Sequence, residues 1–381
     1  MLGDTLENTK NTYPIIPELC SLTTDNKMLS GFNYSTLLYN IKNMANNPDY
    51  DFTVNYKVNK KVEKEFKKLK NEGKIKNLFS NVYICKDSKN LEFYMFQKSI
   101  ITFVGKICFD EKTKKINVTS NRAWSKIMFP IWNLDSPRKV LNDLLFFILL
   151  QNGYLTLHAS AVAGPNNDDV TIIMGKPNTG KSISTFSLVS EKDYSLIGDD
   201  IIVVDINTKK VYSCPYAFTY YHNEYLIGEF YKKGLISRLE FFKLRWNEFL
   251  KKFPIIYLYS SFKMDYQNIF EKLPYKPVGT LKNIMILEKT LDTKAVEKLD
   301  TEEKNKTTGI IKFLNNVEFF WWKSDILKSL EYLNESQIFP KIEKMETEAV
   351  QNMLSNTEVY KIDNTNSVAF YGIIDEINKK S

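Results

Sequence analysis

Histidine and arginine are nearly missing from this chain of 381 residues: His158 and His222 are the two histidines, and Arg122, Arg138, Arg238 and Arg245 the four arginines. Surfaces that read polyanions draw heavily on arginine. The net charge of +7 is carried almost wholly by lysine, and the surplus of Lys, Asn, Ile and Tyr has the look of AT-rich coding sequence, so no nucleic-acid partner is expected. The basic run from Lys57 to Lys76 is interrupted by Glu63, Glu65 and Glu72 and reads as a solvated helix face. The four cysteines, Cys20, Cys85, Cys108 and Cys214, are scattered without C-x-x-C spacing, which excludes a zinc ribbon and a disulfide framework and fits a reducing, cytoplasmic setting. Long apolar runs are lacking too. The most apolar stretch, Leu144 to Leu150, falls far short of the roughly 20 residues that cross a bilayer, and MLGDTLENTKNTYPIIPELC does not read as a signal peptide.

Hydrophobic residues at 43% and aromatics at 14% are enough to build buried cores, and the length suits two domains. We expect a β-rich N-terminal domain over 1–125, a buried connecting helix over 126–153, a nucleotide-binding core over 154–295 and a helical C-terminal extension over 296–381. In the first of these a lysine-rich helix over about 59–73 precedes NVYIC, LEFYMFQ, SIITFVGKICF and KINVTS, β-branched and aromatic runs parted by polar turns, which predict a small antiparallel sheet. Ser136 is placed to cap the connecting helix, Pro137 to occupy its first position and Gly153 to end it. Beyond it YLTLHASAVAG, VTIIMG, a glycine-bearing loop, a helix over about 182–189 and YSLIGDDIIVVDI give strand, strand, loop, helix and strand, an α/β pattern within an α+β whole. NIMILEK at 283–289 predicts a further buried strand, LDTEEKNKTT a charged loop, and 323–334 and 343–355 helices, followed by a short strand and a terminal helix. The segment 215–275 gives no clear pattern.

The loop is Gly175-Lys176-Pro177-Asn178-Thr179-Gly180-Lys181-Ser182, a complete GxxxxGK[ST] match between a strand and a helix. Glycine-permitted turns let backbone amides converge on phosphate oxygens. The helix N-terminus adds partial positive charge, Lys181 a cation for the β- and γ-phosphates, and Ser182 a hydroxyl for Mg²⁺. Pro177 subtracts one amide. Asp199 and Asp200 follow seventeen and eighteen residues after Ser182. Beside a triphosphate, one such carboxylate serves a metal and the other takes a proton from an attacking hydroxyl; an isolated pair would read only as a strand-ending turn. His158, on a strand beside the one feeding the loop, is a candidate to orient a carboxylate, with a satisfied core histidine as the plain alternative. His222 reads as structural.

LHASAV, GKPNTGKS and GDD, in this order and spacing over about 150–205, resemble the HPr kinase/phosphorylase superfamily, whose catalytic domain has a phosphoenolpyruvate carboxykinase-like fold. The resemblance implies an ATP- and Mg²⁺-dependent kinase with Ser182 and Asp200 at the metal, Lys181 on the phosphates, and Asp199 or Asp200 as base with His158 nearby. The signature that follows the Asp pair in the HPr-specific enzymes is not reproduced between Cys214 and Phe241, although Glu224 and Glu229 lie there. The implied acceptor is therefore a serine in some other peptide or protein, as in the divergent relatives. A GTPase would need NKxD and DxxG after Ser182, and a transporter ATPase an LSGGQ-like signature; none is present. A non-catalytic nucleotide sensor and a small-molecule hydroxyl kinase stay open, as does assembly into a homo-oligomer. Arg238 and Arg245 are candidates to hold phosphate charge if 215–275 covers the site.

Overall fold

The computed structural model describes residues 11–24, 50–85, 91–110, 113–126, 134–165, 168–177, 179–214, 224–250, 273–288, 296–318, 323–333, 337–363 and 370–380. They form a mixed α/β protein built on two mixed sheets. The first comprises Asn11–Ile16 (β1), Cys20–Thr24 (β2), Phe52–Val58 (β3), Ile75–Phe79 (β4), Val82–Cys85 (β5), Leu91–Lys98 (β6), Thr102–Asp110 (β7) and Lys115–Ser120 (β8), in the order β1-β2-β3-β8-β7-β6-β5-β4. The expected antiparallel sheet is thus only part of it, because β3 runs parallel to both β2 and β8. The lysine-rich helix is the reason for the β3–β8 pair. Lys61–Asn71 (α1) carries the chain off the end of β3 and across the sheet, as a parallel neighbour requires, and β4 to β8 then return as a meander. Val62 and Phe66, one turn apart, bury against Tyr94 and Val104 while the lysines face outward.

Pro137–Gln151 (α2) joins the two sheets. The Ser136 hydroxyl accepts from the Lys139 amide at 3.3 Å, Pro137 sits in the first turn, and Gly153 takes a φ of 84° just past the end, so both ends follow their local signals. Its apolar side chains from Val140 to Leu150 are buried in the main core, between the first sheet and the second.

The second sheet comprises Tyr154–His158 (β9), Ser160–Ala163 (β10), Asp169–Gly175 (β11), Ser195–Gly198 (β12), Ile201–Asp205 (β13), Lys210–Ser213 (β14), Val278–Glu288 (β15), Val296–Lys298 (β16) and Glu358–Asp363 (β17). Its order is β12-β10-β11-β15-β14-β13-β9, with β17 pairing parallel to the second half of β15 and β16 closing that edge. β11 is covered on both faces, which is why it reads as one apolar run: Val170, Ile172 and Met174 enter one core cluster and Ile173 the other. One face carries Lys181–Glu191 (α3), with Glu224–Lys232 (α4) and Arg238–Leu250 (α5) beyond it. Thr301–Glu318 (α6), Asp325–Leu333 (α7) and Ile338–Ser355 (α8) pack with α2 on the opposite face, and Phe370–Lys380 (α9) lies against α3.

Residues 296–380 are woven into this core through β17, α6 and α9. The charged segment LDTEEKNKTT is a helix start and not a loop. Asp300 and Glu303 exchange side-chain bonds with each other's amides, at 2.9 and 3.1 Å, and this capping box launches α6, whose Ile311 and Leu314 reach the core.

Candidate functional site

The second sheet turns a corner, and the corner makes the site. β9 and β10 are one stretch of chain broken at Ala159; β12 and β13 are another, broken at Asp199 and Asp200. The two stretches stay paired across the break: β9 with β13, where His158 faces Ile201, and β10 with β12, where Ala161 faces Gly198. A bond from the Ala159 amide to the Asp200 carbonyl, 3.1 Å, bridges the gap. Asp200 takes a φ of 83° there, in the left-handed region that costs a non-glycine residue of order 1–3 kcal/mol. Gly198, one residue before the pair, is closely packed: a Cβ would meet Ile202 Cγ2 at 3.1 Å and the Ile201 carbonyl at 3.3 Å, so both would have to give by a few tenths of an ångström.

The glycine-bearing loop at 175–182 leaves β11 beside this corner. A Cβ on Gly175 would lie 2.6 Å from Thr179 Oγ1 and 2.7 Å from the Leu287 carbonyl, so the first glycine of the motif is needed for close packing against β15. Gly180 caps α3 with a φ of 106°, available at no strain only to glycine. The Thr179 amide and hydroxyl both go to the Lys176 carbonyl, at 3.2 and 2.8 Å. The amides of Lys181, Ser182 and Ile183 begin the helix, where no intrahelical carbonyl meets them. Lys181 Nζ folds back to the Gly175 carbonyl, 2.8 Å. Asn178 lies outside the described residues, as does His222.

The corner brings the expected side chains together in two pairs. Asp199 Oδ1 accepts from Ser182 Oγ at 3.1 Å and from Ser160 Oγ. Asp200 Oδ1 stands 3.3 Å from His158 Nε2. The turn at the break separates the two carboxylates onto different partners. Ser182 therefore contacts Asp199, where the sequence had coupled it with Asp200. Burial pushes the Asp199 carboxyl up to about 6, assisted by the neighbouring Asp200 charge and opposed by the Ser160 and Ser182 hydroxyls and Lys181.

His158 is fixed from the far side of the sheet. Its Nδ1 lies 3.3 Å from the Leu314 carbonyl and its amide donates to Asn315 Oδ1 at 3.0 Å; Asn315 Nδ2 donates to the Thr156 carbonyl and to Glu346. Both ring nitrogens thus face oxygen acceptors, Nδ1 the Leu314 carbonyl and Nε2 the Asp200 carboxylate. Asn315 and Ser160, both fully buried, were missed from the sequence. Ser160 had a signal in its position two residues after His158. Asn315 had none, since its role depends on α6 packing against β9.

Arg238 is exposed on α5 over the Phe242 ring, at 5.8 Å, and Arg245 is exposed on the same helix. Glu229 pairs with Lys232 at 2.7 Å, and nothing is described of the Glu224 side chain. Among the described residues no three His, Cys, Asp or Glu side chains converge as a metal cluster, and no helix is long and apolar enough to cross a membrane. Compared with known proteins, the chain matches no family model and no curated protein sequence.

Proposed function

We propose that the chain is a Mg²⁺-dependent kinase that transfers the γ-phosphoryl group of ATP to a hydroxyl, a serine in a peptide or protein. The observation that carries this reading is the division of the Asp pair at the corner: Asp199 on the phosphate-loop hydroxyl of Ser182, Asp200 on His158. A phosphate binder needs the loop alone. A second carboxylate, turned away from the loop serine and backed by an imidazole, suits a proton acceptor.

The residues fit the implied groups. A serine hydroxyl and a carboxylate are the hard oxygen donors that Mg²⁺ takes, few in number because phosphates and water complete its shell. The cradle at Gly175, which any Cβ would fill, suits a loop drawn tight around phosphate. Ser182 and Asp199 would hold Mg²⁺, which when bound neutralises charge on the transferring group. Lys181 exchanges its contact with the Gly175 carbonyl for the phosphates. Asp200 accepts the proton of the attacking hydroxyl. His158, tied by Leu314 and Asn315, keeps that carboxylate aimed, and positioning and charge stabilisation supply most of the rate.

The test is incubation with ATP, MgCl₂ and a library of serine-bearing peptides, scored for ADP and phosphopeptide. Asp200→Asn is expected to cut turnover by about 10²–10⁴-fold while ATP affinity stays within a few-fold of wild type. No ADP and no phosphopeptide from any peptide would overturn the reading, and a fully active Asp200→Asn would remove Asp200 from its role.

A further inference from the structure

β10 lies in the run Leu157-His158-Ala159-Ser160-Ala161-Val162-Ala163, and Ser160 is its single hydroxyl, with 0% of its surface exposed. A buried hydroxyl costs free energy unless it is hydrogen-bonded, and alanine, which flanks it on both sides, fits the same space. Among the described residues the Ser160 hydroxyl has one partner, Asp199 Oδ1. Ser182 Oγ reaches the same oxygen from α3. Both bonds to the Asp199 carboxylate thus land on Oδ1, one from the sheet and one from the loop, and they pin the carboxylate in one rotation.

We propose that Ser160 is the positioning residue that sets Asp199 for the loop-bound metal; this rests on the reading of Ser182 and Asp199 as its holders. The two hydroxyls differ in what they can do. Ser182 must also turn a lone pair to the cation, so its grip on Asp199 is shared. Ser160 sits in the rigid strand, one residue past the break at Ala159, and its hydroxyl has no other task. It holds Oδ1 in the same place whether or not the loop is engaged, so that the carboxylate meets the metal without having to be reoriented. Ser160 touches neither nucleotide nor acceptor in this account; it acts through Asp199.

The experiment measures ATP binding by calorimetry, with and without MgCl₂, for wild type, Ser160→Ala, Ser160→Cys and Ser160→Thr, alongside melting temperatures. Wild type should bind ATP more tightly with Mg²⁺. Ser160→Ala should lose about tenfold of that gain, the size of one hydrogen bond to a charged group, with metal-free affinity unchanged within twofold. Ser160→Thr, which keeps the hydroxyl, should restore it, and Ser160→Cys, a weaker donor, should fall between. A merely structural role would weaken binding equally with and without metal, and that result overturns the proposal, as does a full Mg²⁺ gain in Ser160→Ala. If Ser160→Ala melts too low to assay, Ser160→Cys carries the comparison, and a full Mg²⁺ gain in it likewise overturns the proposal. Wild type that binds ATP no more tightly with Mg²⁺ would instead refute the metal reading of Ser182 and Asp199, and Ser160 would fall with it.

Discussion

Asp199→Asn should make the protein more stable, and by an amount that depends on pH. Asp199 is 3% exposed, and burial raises its carboxyl from an ordinary 3.8 to about 6. Below pH 4 the folded and unfolded chains both hold this proton, and the residue imposes no penalty. As pH rises from about 4 to 6 the unfolded chain releases the proton while the folded one keeps it, so wild type loses stability; above pH 7 both are ionised and the loss is complete. Two pH units correspond to about 3 kcal/mol. Unfolding entropy of about 2 cal/mol/K per residue gives a chain of this length about 0.8 kcal/mol per degree, so the gain in melting temperature should be about 4 °C if it unfolds as one unit. Asparagine keeps an oxygen for the serine hydroxyls and removes the buried charge. The assay is a melting curve of both proteins from pH 4 to pH 8 without divalent metal. A variant that melts at or below wild type at pH 8, or whose advantage does not grow between pH 4 and 7, would refute the reasoning. Asp205 is the contrast on the same chain segment: also buried, it accepts from the Asn207 and Thr208 amides and the Thr208 hydroxyl, at 2.7 to 3.1 Å. Asp205→Ala should therefore lose about 2 kcal/mol, read from denaturant unfolding.

Other outcomes follow from single contacts. Asn315→Leu keeps the volume but leaves the His158 amide and Glu346 without their partner; it should cost about 2–4 kcal/mol in chemical denaturation and lower turnover through His158. Lys181→Met should weaken ATP about 10–100-fold in calorimetry, the worth of a charge-assisted contact, with the fold intact by circular dichroism. Gly105→Ala drives a Cβ to 2.2 Å from the Trp124 ring, which is fully buried and donates to the Asp135 carbonyl at 3.0 Å. It should lose about 3 kcal/mol, visible as a shift in Trp fluorescence and a lower unfolding midpoint.

What could be read in the sequence was what neighbouring residues decide among themselves. α2 starts at Ser136 and Pro137 and ends before Gly153 because caps are local. The turn at 175–182 could be read in part: Gly180 answers to its own backbone, whereas Gly175 answers to its packing against β15. Charge misled at LDTEEKNKTT: the segment read as a charged loop, but it opens the helix Thr301–Glu318, whose Ile311 and Leu314 reach the core from one face. The parallel pairing of β3 with β8 depends on where α1 deposits the chain, which no window of residues encodes. Asp199 and Asp200 could be found, but their partners could not. Which carboxylate meets Ser182 is set by the corner, and the corner exists because two strand pairs break at the same level.

β15 has a consequence for how the protein is made. One of its edges is covered by β11, but the other, over Asn283 to Glu288, waits for Glu358–Asp363. His158 likewise waits for Leu314 and Asn315. At about 5–20 residues per second of synthesis, a chain that has completed β15 at Glu288 needs on the order of four to fifteen seconds before β17 emerges to flank the strand that Gly175 leans on. Through that interval a parallel strand edge stands open beside the loop, the kind of surface that nascent chains mispair and chaperones cover. The loop at 175–182 is written near the middle of this chain, and its surroundings are finished by the last hundred residues.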